Sequence, residues 1–240
     1  MKSLYFIIFL VALSNKFCNG QSFQVIAGNN GTYQGSHNDL MLLSQGEVID
    51  LDKADISGSP FWSEGWKTAI LYTGEYAILV SKAKVNLYKN DVWYISPDGL
   101  SMSAKTGIVK GITFFKGDDT TSILANFVYL RNEGDKDYHY YEFMNSGKAQ
   151  LLKLNNVTVH KHPFDAFKGK SDLSYMAETE YYLYYNKFLT PLKKHNKEAI
   201  FSVLRPNDSA IGWLNKNKNS LKSNPDILNF LNYFNTKTGK

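Results

Sequence analysis

Cysteine is all but absent from this chain of 240 residues: Cys18 is the only one. A lone cysteine excludes an internal disulfide. Its place near the N-terminus also removes thiolate nucleophiles and cysteine-based metal centres from everything that follows. Long apolar runs are equally scarce. The main uninterrupted stretch, LYFIIFLVAL over residues 4–13, is too short for a bilayer, which needs about 20 apolar residues. No Gly-x-Ser-x-Gly elbow and no His-Glu-x-x-His occurs, so two common hydrolase signatures are missing. Gly169-Lys170-Ser171 resembles the end of a phosphate loop, but Phe164 stands where that loop needs glycine. Helical periodicity is nearly absent before residue 190.

The N-terminus reads as a cleavable secretory signal over residues 1–20. Lys2 supplies the charge, the apolar run follows, and a polar stretch ends in Cys18-Asn19-Gly20. Cleavage is expected after Gly20, leaving Gln21 first. Lipid anchoring at Cys18 is disfavoured, because bulky Phe17 precedes it where a small residue is wanted. The expected location is periplasmic or extracellular. A cysteine-free exported domain fits a bacterial protein better than an extracellular animal one. Without disulfides, about 220 residues must be held by their own core, which that length allows.

Composition is that of a folded chain, with 43% hydrophobic and 15% aromatic residues. Charge is uneven. Residues 187–240 hold ten basic and three acidic residues, net +7; residues 21–186 hold fifteen and nineteen, net −4. Residues 21–39 form a polar, Gly/Asn-rich lead-in. Residues 40–190 read as an antiparallel β-domain, curled or sandwich-like. Short candidate strands are Met41–Ile49, Thr68–Thr73, Tyr76–Ser81, Lys84–Lys89, Val92–Ser96, Ile108–Lys116, Ile123–Arg131, Tyr138–Asn145, Ala149–His160 and Tyr181–Tyr185. Gly, Asn and Asp between them tolerate positive φ, as in Lys89-Asn90-Asp91 and Asn145-Ser146-Gly147. Connections that short join only antiparallel neighbours.

Residues 191–240 read as a basic helical tail packed on the β-domain. Lys194–Leu204 is one helix, and a second short one runs through Ile211 and Leu214. Asn224-Pro225-Asp226 starts a third, with Asn224 as cap and Pro225 at the first helical position. Ile227, Leu228, Leu231 and Phe234 form its apolar stripe, which a helix this short must dock to be stable.

Ser57-Gly58-Ser59-Pro60-Phe61-Trp62, a hairpin series, and an end at Tyr233-Phe234-Asn235 together resemble a family of uncharacterised exported bacterial β-rich proteins. That resemblance implies structural roles for Pro60 and Trp62, as the helix-start signal does for Pro225. It implies no known activity and carries over no catalytic residue.

Three features offer chemistry. His160 and His162 project to one side of a strand and could share a metal, with Asp165 a possible third ligand; the plain alternative is a solvated strand end. Tyr138, Tyr140, Tyr141 and Glu142 could form an aromatic binding face, or simply cover a sheet. Glu142 with Asp137 are the least poor acids for a hydrolase. The basic tail could meet an anionic surface, or merely aid solubility; export removes the usual nucleic-acid targets. The leading expectation is a non-catalytic exported protein that binds a ligand, glycan or cell-envelope component, with no cofactor. A hydrolase and a metal-binding module are the alternatives.

Overall fold

The structure is a computed structural model that describes residues 56–238, apart from residues 75, 118–119, 166, 168–169 and 194–196. The expected signal segment, the expected lead-in and the expected strand Met41–Ile49 lie outside the described residues.

Eleven strands form one sheet: β1 (Ile56–Ser57), β2 (Lys67–Tyr72), β3 (Ala77–Asn86), β4 (Asp91–Ile95), β5 (Ser101–Ser103), β6 (Gly111–Phe115), β7 (Ile123–Leu130), β8 (His139–Phe143), β9 (Ala149–Asp165), β10 (Lys170–Tyr185) and β11 (Phe188–Pro191). Three helices follow: α1 (Lys197–Leu204), α2 (Asp208–Lys216) and α3 (Asn224–Thr238). The expected class, mainly β with a small helical C-terminal part, is what the chain adopts. Strand order is β1-β10-β9-β8-β7-β6-β2-β3-β4-β5, with β11 also on β10. The sheet is mixed rather than purely antiparallel. β1 runs parallel to β10, pairing Ile56 with Leu173, as only a strand reached by a long crossover can.

The expected turns reverse the chain. Asn90 takes φ 53° between β3 and β4, and Gly147 takes φ 113° between β8 and β9. Two of the expected strands, Tyr76–Ser81 and Lys84–Lys89, are instead one, β3. Ser81 and Lys82 are merely exposed positions along it. β10 starts 11 residues before the expected Tyr181.

The sheet curls on itself. Tyr88, in the β3–β4 turn, meets Tyr175 of β10 edge-on at 5.6 Å between ring centroids, although those strands are far apart in the order. The Gly58–Trp62 segment crosses the gap. Leu87 N–H donates to Pro60 O at 2.7 Å, and Trp62 N–H donates to Val85 O at 3.0 Å. The Trp62 ring stacks on Phe114 and meets Phe127 edge-on, each at 5.2 Å. Pro60 and Trp62 thus seal the curl over a core that includes Leu71, Val85, Ile112, Phe114, Phe127 and Val157. Burying aromatic area of this kind is the main stabilising term available to a chain without crosslinks.

At the other end, β9 and β10 are apolar on both faces. The cross-strand pair Leu151 and Leu183 faces the helices, together with Ile200, Leu214, Ile227, Phe230, Leu231 and Phe234. The neighbouring pair Leu152 and Tyr182 faces the opposite side, with Val128, Tyr141, Leu154 and Tyr184. Helix α3 docks by its stripe as expected. Its cap is one residue earlier than Asn224: Ser223 accepts from Ile227 N–H at 3.0 Å and, through Oγ, from Asp226 N–H at 3.3 Å. Pro225 therefore sits in the second helical position, where a missing N–H costs nothing. Asn235 then clasps the sheet. Its Oδ1 accepts from Ala149 N–H at 2.8 Å, and its Nδ2 donates to Ser146 O and Ala149 O at 2.9 Å.

Candidate functional site

Strand alternation disperses the expected tyrosine face. β8 pairs Tyr140 with Tyr129 and Tyr141 with Val128, which puts the two tyrosines on opposite faces of the sheet. Tyr140 is 3% exposed in the curled core, where its hydroxyl donates to Val109 O at 2.9 Å. Tyr141 is fully buried on the other side, edge-on to Tyr182 at 5.2 Å. Neither ring is open to a ligand. Burial pushes both phenols well up; the nearby carboxylates Asp135 and Glu180 add to this for Tyr141. Tyr182 is raised by burial and by donating to Glu180 Oε2 at 2.7 Å, which favours its neutral form. These phenols are proton-locked and do no acid–base work near neutrality.

Glu142 is held by Lys153 at 3.5 Å, while Asp137 lies in the exposed β7–β8 connection. Neither lines either of the clefts described below. His160 and His162 are exposed together near the far end of the hairpin, with ring centroids 5.1 Å apart. His162 Nε2 lies 2.8 Å from Ser174 Oγ. The Asp165 side chain lies outside the described residues. Among the described residues no three His, Cys, Asp or Glu converge, and no helix is long and apolar enough to cross a membrane.

Tyr138 remains at the surface, 43% exposed. It stacks on Tyr129 at 5.2 Å, and the Arg131 guanidinium lies 5.2 Å from its ring centroid, a cation–π contact. This pair forms one wall of an open cleft of about 650 Å³. Arg131 to Asp135 supply the polar rim, and Tyr184, Lys187, Phe188 and Leu189 the opposite side. A second open cleft, also about 650 Å³, runs between Tyr185, Phe188 and Thr190 on one side and the end of α1, Ser202 to Arg205, on the other. Phe188 borders both clefts and is 66% exposed.

Phe188 owes its position to a two-residue hairpin. Tyr185 pairs with Phe188, while Asn186 and Lys187 take φ 48° and 72°, the twist-matched turn with both central residues at positive φ. Sequence reasoning passed over this residue. The signal was there: Asn186 after an aromatic run is a hairpin turn, and the aromatic after it begins the return strand.

One buried acid stands apart. Asp91, 9% exposed, accepts from Ser103 Oγ at 2.7 Å. Burial raises its carboxyl above the usual range, against the pull of that hydrogen bond. Compared with protein-family models, curated proteins and solved structures, the chain matches none.

Proposed function

We propose that this chain acts after export as a non-catalytic binding protein, and that it holds a glycan in the clefts flanking Phe188. Phe188 carries the reading: a large ring, 66% exposed, bordering two clefts of mixed polar and apolar lining. A sugar has an apolar C–H face and a rim of hydroxyls. An open ring suits the first, and the Arg131, Asn132, Asp135 and Lys187 side chains at the cleft edge suit the second. The Tyr138–Arg131 pair is held by stacking, so it is a preformed wall rather than a loose one. The two acids considered for a hydrolase do not favour that alternative, since Glu142 is tied to Lys153 and neither it nor Asp137 lines a cleft. Export rests on the signal pattern of residues 1–20, and the resemblance to exported bacterial β-rich proteins points the same way.

The test is a glycan array probed with residues 21–240, followed by calorimetry on the tightest binder. Phe188→Ala is expected to weaken binding at least tenfold, and Tyr138→Ala by less, with circular dichroism unchanged. Failure to bind any glycan, or parental affinity in Phe188→Ala, would count against the reading.

A further inference from the structure

The outer part of the β9–β10 hairpin carries a second arrangement, on residues the glycan reading does not use. His160 and His162 share a face of β9, and both are exposed. Their cross-strand neighbour is Ser174, the register partner of His160. Side chains two apart on a strand start from the same side, yet exposed histidines usually splay into water. These two do not: their centroids are 5.1 Å apart with the rings at 83°.

That separation has a chemical meaning. An imidazole nitrogen binds Zn2+ or a similar ion at about 2.0–2.1 Å, which puts the ring centroid about 3.2 Å from the ion. Two such rings at angles between square and tetrahedral then stand about 4.5–5.2 Å apart. The observed spacing falls inside that interval before any ion is bound. The second nitrogen is provided for as well. A ligating histidine commonly gives its other ring nitrogen to a hydrogen-bond partner, which fixes its tautomer and orientation. His162 Nε2 meets Ser174 Oγ at 2.8 Å; in the tautomer whose Nε2–H donates to the serine, Nδ1 carries the lone pair that a metal would take.

We propose that His160 and His162 form a two-imidazole chelate for a divalent transition metal, Cu2+ ahead of Zn2+, with Ser174 as the positioning residue. Cu2+ leads because imidazole suits it and because it heads the affinity order of the first-row divalent ions. With two protein ligands the remaining positions go to solvent or to a donor from another molecule. Binding is therefore weaker than that of a closed four-ligand centre.

The test uses chelator-treated residues 21–240 titrated with Cu2+ and followed by electron paramagnetic resonance and calorimetry. One equivalent is expected to bind with the hyperfine pattern of two imidazole nitrogens. His160→Ala and His162→Ala should each weaken binding at least tenfold and reduce the pattern to one nitrogen. Ser174→Ala should weaken it a few-fold and keep both nitrogens. His139→Ala serves as the control and should change nothing. His160 and His162 are exposed, so their variants leave the core untouched, and circular dichroism checks that all four variants fold. A parent protein without a two-nitrogen signal overturns the proposal, as does a His160→Ala/His162→Ala double variant that binds Cu2+ like the parent.

Discussion

The two halves of the β9–β10 hairpin share one backbone ladder and differ in how much of it is covered. The inner half, residues 149–154 with 181–185, is covered on both faces. The outer half, residues 155–163 with 172–180, holds one deeply buried side chain, Val157, among polar or exposed neighbours such as Thr158, Met176 and Glu178. The backbone ladder is the same throughout, running from Ala149↔Tyr185 out to Lys170↔Asp165 with one register shift. Each ladder bond contributes about 0.5–1.5 kcal/mol net. What separates the halves is burial, at about 25 cal/mol per Å² of apolar surface. The inner half is the anchor that sets Tyr184, Tyr185 and Phe188 beside the clefts. The outer half is an arm that shows its histidines to solvent.

Substitutions can break that contrast. Leu183→Ala, in the inner half, is expected to cost about 3–5 kcal/mol in chemical denaturation, since it opens a cavity between sheet and helices. Met176→Ala in the outer half, 50% exposed, should cost less than about 1 kcal/mol. Equal costs at the two sites would end the distinction. Next comes the clasp of the inner half. A Cβ on Gly147 would fall on the Asn235 side chain, and φ there is 113°. Gly147→Ala is expected to cost about 2–4 kcal/mol. The cost should shrink in an Asn235→Ala background, where the collision is gone; a double-mutant cycle with no coupling would show that the clasp is not a unit. A smaller effect of opposite sign comes from Lys187, which takes φ 72° beside Phe188. Lys187→Gly should raise stability by about 0.5–1 kcal/mol, read from the thermal midpoint.

Asp91 sharpens the contrast from outside the hairpin. Its folded carboxyl titrates above its unfolded value because it is buried. Between the two values folding takes up a proton at this group, so the contribution of Asp91 to stability is most favourable at low pH and declines as pH rises from the unfolded value through the folded one. Asp91→Asn should raise the melting temperature near neutral pH and change it little below about pH 3.8. Since Asp91 lies at the curled end, the difference between Leu183→Ala and Met176→Ala should survive in that background.

The same contrast explains what could be read from the sequence. Tyr181–Tyr185 is recognisable as a strand because its residues bury on both faces. The preceding run, Asp172 to Glu180, belongs to the same strand but is polar in much of its sequence and exposed from Met176 on, so no periodic apolar face announces it. Gly147 and Asn90 mark turns correctly, because positive φ is a local property. The helical stripe Ile227, Leu228, Leu231 and Phe234 is legible for the same reason, its spacing being local. Asn235 reads in the sequence only as part of a closing motif; its role depends on a turn 86 residues away. Tyr140 and Tyr141 look alike in sequence, and only the pairing with β7 shows that both rings are spent on the interior. The clefts are invisible at that stage, since they join three connections distant in the chain.

Amide hydrogen exchange on residues 21–240, with and without a bound glycan identified on the array, tests the central claim most directly. The account predicts slowed exchange in residues 131–138 and 186–190, beside the anchored half, and no change in residues 156–162 and 172–178. Protection confined to the outer arm, with none around Phe188, would contradict it.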